Sequence, residues 1–177
     1  MSDNVYLGNP NLKKANTPIE FTEEQIIEFV QCQRDPVYFA NKYVKIVSLD
    51  EGLVPFKPYR FQEKLITNFH ENRFNICKMP RQTGKSTTVV SYLLHYAVFN
   101  DSVNIGILAN KAATARELLG RLQTAYENLP KWMQQGIIAW NKGSLELENG
   151  SKILAASTSA SAVRGMSFNI LFLDEFA

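Results

Sequence analysis

Three groups of residues in this sequence have types and spacings suited to chemistry. The first is Met79-Pro80-Arg81-Gln82-Thr83-Gly84-Lys85-Ser86-Thr87. Its last positions fit the phosphate-binding pattern G-x-x-x-x-G-K-[ST], with Met79 where the first glycine would stand. Between a strand and a helix, such a run points backbone N–H groups and the positive end of the helix dipole at an anion. Lys85 would reach the β and γ phosphates of a nucleotide, and the Ser86 hydroxyl would bind Mg²⁺. The second group is Asn169-Ile170-Leu171-Phe172-Leu173-Asp174-Glu175. Its apolar run predicts a strand in a sheet interior, with two carboxylates at the C-terminal end, where open α/β sheets place ligands. Asp174 would hold Mg²⁺, and Glu175 would orient or deprotonate an attacking water. The third group is Phe61-Gln62, 23 residues before Lys85. The ring could stack on a base and the amide could both donate to and accept from an adenine edge.

Two arginines complete the set. Arg81 lies inside the loop and Arg164 in a Ser/Ala-rich stretch, residues 157–167. Either would stabilise negative charge on a transferring phosphoryl group, an effect worth roughly 10³–10⁵ in rate. The nucleotide-binding candidates are therefore Phe61, Gln62, Arg81, Gln82, Thr83, Gly84, Lys85, Ser86 and Thr87. The catalytic candidates are Glu175, Arg81 and Arg164, and the metal candidates are Ser86 and Asp174.

The elements that must position these groups follow from periodicity. Residues 1–18 show little and are expected as an extended arm, with Lys13-Lys14 a solvated run. Thr22 and Gln25 form a capping-box pattern before a helix ending near Arg34, with Ile26, Ile27, Phe29 and Val30 as its apolar face. Pro36 opens a second helix through Val44. Residues 52–58 are expected as a loop or link, and Tyr59 to Phe69 as a helix. Phe74 to Lys78 is expected as a short β-type run. Lys85 to Phe99 reads as a buried helix, Val103 to Ala109 as a buried parallel strand, and Ala112 to Leu129 as a helix presenting Leu118, Leu119, Leu122, Ala125 and Tyr126. Asn149-Gly150 between alternating runs marks a hairpin. Trp132 and Trp140 read as packing residues. The order of elements predicts an α/β fold with a mostly parallel sheet. It divides into an N-terminal arm and helical subdomain (1–55) and a nucleotide-binding core (56–177).

Composition narrows the classes further. The chain has 177 residues, 45% hydrophobic and 20% charged, with net charge +2. That is an ordinary globular composition of about one domain, and it excludes disordered, collagenous and disulfide-scaffold classes. Cys32 and Cys77 are isolated, as are His70 and His95, so no metal-ligand spacing is present and a reducing cytoplasm is expected. The first twenty residues are polar, unlike a signal peptide. The longest apolar stretch, Val89 to Phe99, falls far short of the ~20 residues of a membrane span. Residues 1–58 carry 6 basic and 8 acidic residues, and 59–177 carry 13 and 9. That asymmetry permits a nucleic-acid partner without demanding one.

Taken together the motifs resemble the large terminase subunit of tailed phages, closest to its T-even-like branch. Arg81-Gln82-Thr83-Gly84-Lys85-Ser86 without the first glycine looks like the family's deviant phosphate loop. Phe61-Gln62 looks like its adenine motif, and Leu173-Asp174-Glu175 like its second acidic motif. Asn11-Leu12-Lys13-Lys14-Ala15-Asn16, Trp140-Asn141-Lys142-Gly143-Ser144 and Ala162-Val163-Arg164-Gly165 extend the likeness from about Gly8 to Ala177. The resemblance implies a P-loop ATPase of the additional-strand, catalytic-glutamate class using ATP and Mg²⁺. It implies double-stranded phage DNA, a portal protein and a small terminase subunit as partners. It also implies self-association into a ring, typically a pentamer, on the procapsid, and a host-cytoplasmic location transiently at the portal. By position, Arg81 matches an arginine acting in cis and Arg164 one reaching a neighbour's ATP. The family continues past the equivalent of Ala177 into further core strands and an RNase H-like nuclease. The chain is thus expected to be an N-terminal fragment holding three of five core strands, marginally stable and with little turnover alone. Two other readings stay open here: a nucleic-acid helicase ATPase, and an inactive fragment that only binds partners.

Overall fold

Apolar residues occupy nearly every position of two segments, and these two make the centre of the molecule. In a computed structural model describing residues 4–48, 50–159 and 165–175, they become a strand and a helix within the following order. A hairpin β1 (Val5–Tyr6) and β2 (Asn9–Lys13) precedes helices α1 (Glu23–Arg34) and α2 (Pro36–Tyr43). A second hairpin, β3 (Lys45–Ser48) and β4 (Gly52–Pro55), leads to helices α3 (Arg60–Glu71) and α4 (Lys85–Phe99). Strand β5 (Asn104–Ala109), helix α5 (Ala112–Glu127) and strands β6 (Ile137–Trp140), β7 (Ser144–Leu147), β8 (Lys152–Ser157) and β9 (Ile170–Asp174) follow.

The main sheet runs β6-β7-β8-β5-β9. β5 pairs in parallel with both β8 and β9, while β6, β7 and β8 are antiparallel neighbours. The sheet is therefore mixed rather than mostly parallel, because the hairpin joins the same sheet as β5. The strand β5 is buried from Ile105 to Ala109. α5 lies on β5 and β8 through Leu118, Leu119, Leu122, Ala125 and Tyr126, all buried. α4 packs on α5, α2 and α3, and is buried at Thr88 to His95 and at Ala97 to Phe99. A helix apolar on all sides belongs inside a protein, and this one is surrounded by helices.

The helix termini follow their caps. Thr22 Oγ1 accepts from the Gln25 N–H and the Gln25 amide oxygen accepts from the Thr22 N–H. Asp35 ends α1, where its N–H donates to Gln31, and starts α2, where its carboxylate accepts from Val37 and Tyr38. Glu28 ties the two helices together, accepting from Lys42 at 2.8 Å, Tyr43 at 3.0 Å and Tyr38 at 3.1 Å.

Several expectations are corrected. The arm at 1–18 contains the β1–β2 hairpin, and Leu12 and Lys13 are buried. Lys13 is not solvated: it pairs with Glu148 at 2.8 Å, and only Lys14 is exposed. The link at 52–58 contains β4, registered against β3. Phe74 to Lys78 forms no strand and leaves Phe74 and Ile76 exposed, because a strand exists only with a paired neighbour. β9 is an edge strand among the described residues, not an interior one, with Leu171 half exposed. Of the three expected core strands, Val103 to Ala109 and Asn169 to Leu173 form as β5 and β9, whereas Phe74 to Lys78 does not. The α1 face is inward only in part: Cys32 is fully buried and Phe29 packs on the core, while Ile26, Ile27 and Val30 are exposed. No helix among the described residues is long and apolar enough to cross a membrane.

Buried His95 gives the fold a pH dependence. Its Nε2 donates to the Cys32 carbonyl at 2.8 Å while its ring is enclosed by Phe39, Phe99 and Tyr92. Burial, opposed by that hydrogen bond and reinforced by nearby His70, pushes its pKa down to about 4. The unfolded chain binds the extra proton first. The stabilisation is therefore complete above the ordinary histidine pKa near 6.5, and drains away as the pH falls from there towards 4. Urea unfolding between pH 7 and 4 is expected to lose roughly 3 kcal/mol through this group. In His95→Gln that part of the slope should be absent.

Candidate active site

The loop before α4 is shaped by backbone conformation before any side chain acts. Gly84 is the N-cap at φ 74°, and Gln82 also lies in the left-handed region at φ 62°. A left-handed residue at that point lets the chain turn abruptly into the helix. The Gly84 carbonyl accepts from both the N–H and the hydroxyl of Thr88, and Thr83 Oγ1 donates to the Pro80 carbonyl at 3.0 Å. No side chain caps α4. Its leading N–H groups and its dipole are consequently left for an anion.

Residues far apart in sequence converge on this turn. Lys85 Nζ lies 3.3 Å from Asp174 Oδ1, at the C-terminal end of β9. Asp174 is buried, and Oδ1 has no hydrogen-bond partner beyond that ion contact. Gln62, also buried, accepts from the Tyr59 N–H at 2.8 Å and donates to the Thr83 carbonyl at 3.3 Å. One amide thus staples the start of α3 to the phosphate-type loop. It does so against Gly84, where a Cβ would come within 2.5 Å of Gln62 Nε2.

The structure brings together Gln62, Thr83, Gly84, Lys85 and Asp174, with Ser86 and Thr87 half-buried on the first turn of α4. Arg81, Gln82 and Glu175 are exposed, and Glu175 has φ 50°. Phe61 is partly exposed and its ring stacks with Tyr59, centroids 5.9 Å apart and planes 9° from parallel. Arg164 lies outside the described residues. Sequence reasoning passed over Tyr59 and Thr88. Tyr59 had a signal, since Gln62 three residues on is the second half of a capping-box spacing without its usual Ser or Thr. Cys77 sits near Lys85, whose charge opposes the upward push of burial on the thiol.

The sequence model described as "Terminase large subunit, T4likevirus-type, N-terminal" matches residues 76–177, more than half of the chain. The chain belongs to that family. The crystal structure of the HK97 bacteriophage large terminase is similar at TM-score 0.64 and 18% identity, over 80% of this chain and 30% of that one. At that identity the likeness is one of fold, a mixed α/β domain. This chain spans less than a third of that protein's length.

The contact between Gln62 and Gly84 makes a test of the turn. Gly84→Ala is expected to cost about 1–2 kcal/mol from the left-handed backbone alone, with a further steric cost from Gln62. Adding Gln62→Ala should return the steric part only, so denaturant unfolding of both single variants and the double should be non-additive.

Proposed function

We propose that this member of the T4-type large terminase family is the ATP-hydrolysing part of a phage DNA-packaging motor. In this reading it is a P-loop ATPase of the additional-strand, catalytic-glutamate class. The observation that carries the proposal is the Lys85–Asp174 contact: a cation on an uncapped helix start meets a buried carboxylate 89 residues later.

The residues present suit the chemistry. The leading N–H groups of α4 and the Lys85 ammonium bind the β and γ phosphates, with Gln82, Thr83 and Thr87 framing them. The Ser86 hydroxyl and Asp174 are hard oxygen donors fit for Mg²⁺, and the buried Oδ1 of Asp174 has no hydrogen bond beside its ion contact with Lys85, which leaves it capacity to hold such an ion. When bound, Mg²⁺ supplies charge neutralisation for the phosphates. Lys85 exchanges its contact with Asp174 for phosphate oxygens. Glu175 orients the attacking water and takes its proton as the bond from the γ-phosphorus to the bridging oxygen breaks. Arg81 stabilises the transferring phosphoryl in cis, and Arg164 does so for a neighbour. The stacked Tyr59–Phe61 pair offers an aromatic face to the base, with Gln62 relaying its position to the loop.

By membership, the wider reading is translocation of double-stranded DNA into a procapsid by a ring of about five copies. Portal protein and small terminase subunit are its partners in the host cytoplasm, and the cutting nuclease lies in the remainder of the full-length subunit. Residues 1–55 form the arm and helical subdomain of this motor and 56–177 its ATPase core.

A non-hydrolysable ATP analogue with Mg²⁺ at 100 times Kd is expected to stabilise the protein by roughly 2.7 kcal/mol. Lys85→Ala should abolish that gain. Glu175→Gln should keep it while lowering turnover of the full-length subunit by about 10²–10⁴. Equal stabilisation of Lys85→Ala would overturn the assignment.

A further inference from the structure

We propose that the nucleotide site holds its ligand by the triphosphate and by base stacking, without reading the edge of the base, and that Gln62 serves it as a positioning residue for the phosphate loop. Its ligands are then purine nucleoside triphosphates as a class rather than adenine nucleotides alone. The inference rests on the ATPase reading above and narrows how that site selects.

An amide that reads adenine must turn its oxygen and its N–H groups to the base edge. Gln62 is not placed to do so. It is only 3% exposed. Its Oε1 accepts from the Tyr59 N–H at 2.8 Å, and its backbone N–H donates to the Tyr59 carbonyl at 2.8 Å, so the two residues are bonded in both directions. Its Nε2 donates to the Thr83 carbonyl at 3.3 Å and lies against Gly84, where a Cβ would come within 2.5 Å of it. Both ends of the amide therefore face protein: the start of α3 on one side and the loop on the other.

What Gln62 holds is the direction of one peptide. In a trans peptide the carbonyl and the following N–H point to opposite sides. Turning the Thr83 carbonyl towards Gln62 turns the Gly84 N–H away from it. Gly84, at φ 74°, has the backbone freedom that would let this peptide rotate. The hydrogen bond from Thr83 Oγ1 to the Pro80 carbonyl fixes the Thr83 side chain, not the peptide that follows. Without the Gln62 amide, rotation would present an acceptor oxygen where phosphate oxygens need a donor.

The base is left with the aromatic pair. Tyr59 is 70% exposed and Phe61 44% exposed. Their rings lie 5.9 Å apart and 9° from parallel. Such a platform grips any base through its π-face, and it does not distinguish the amino group of adenine from the carbonyl oxygen of guanine.

The test uses the full chain with Mg²⁺ and three probes: the β,γ-imido analogues of ATP and GTP, and inorganic tripolyphosphate, which has no base. Calorimetric titration is expected to give the two analogues dissociation constants within about threefold of each other, where a bidentate contact to a base edge discriminates by about tenfold or more. Gln62→Ala should weaken all three probes by one common factor of about tenfold or more. Phe61→Ala should weaken both analogues equally and leave tripolyphosphate unchanged. Circular dichroism and thermal melting check the folding of each variant. A preference of tenfold or more for the ATP analogue would overturn the proposal. So would a folded Gln62→Ala that binds tripolyphosphate as the wild type does, since a residue that only reads the base, or only stabilises the fold, leaves that probe alone. If Gln62→Ala does not fold, the wild-type ratio and Phe61→Ala decide. Failure of the wild-type chain to bind any of the three probes would overturn the ATPase reading itself, and this inference with it.

Discussion

A helix that is buried around nearly its whole circumference must end its polar backbone somewhere, and α4 does so at Gly84. Burial against α2, α3 and α5 fixes the axis of α4, and the axis fixes where its first turn points. The left-handed glycine then lets the incoming chain cross that end without a side chain in the way. Lys85, the first residue of the helix, is carried to the end of β9, and β9 is itself held by its parallel register on β5. The contact between Lys85 and Asp174 is thus a product of packing at the other end of both elements. Nothing local to residues 79–88 would suffice to produce it.

The same dependence explains what could be read in advance. Buried elements with strong periodicity, α4, β5 and α5, declare themselves because their own residues carry the pattern that burial requires. Caps are equally legible: Thr22 with Gln25, and Asp35 before Pro36, act within four residues of chain. The Asn149-Gly150 hairpin is legible for the same reason. In the candidate site, type and spacing single out Lys85 and Asp174, and the two do meet. The role of Gln62 as a staple from α3 to the loop is not legible in this way, because its partner carbonyl at Thr83 lies 21 residues away.

What escaped sequence reasoning depends on distant partners. Lys13 looks like part of a solvated pair until Glu148, from the turn after β7, arrives beside it. The burial of Lys13 follows from that meeting. The apolar positions of α1 look like a core face, yet the core beneath is already filled by Phe39, Phe99 and His95, so the helix rests on Cys32 and Phe29 and leaves Ile26, Ile27 and Val30 outside. Phe74 and Ile76 carry the alternation of a strand, but alternation states only which face each residue would take if a neighbour were present. Whether a strand pairs is decided by topology, and here β9 ends the sheet among the described residues.

The candidate site accordingly has a fixed half and an open half. Gln62 and Asp174 are buried, Gly84 is hemmed in by Gln62, and Lys85 is held against Asp174, so their mutual geometry is set before any ligand arrives. Arg81, Gln82 and Glu175 are exposed, and two of them sit in left-handed conformations that side chains disfavour. A left-handed non-glycine residue costs of order 1–3 kcal/mol. In phosphoryl transfer the groups that bind must be rigid, while the groups that meet developing charge gain by closing on it. Under the proposed ATPase reading, a buried half around Gln62, Gly84 and Asp174 beside an exposed half holding Arg81 and Glu175 is the division that such chemistry would call for. It also assigns the first of these halves to the fold itself: the helix that builds the core also delivers the lysine.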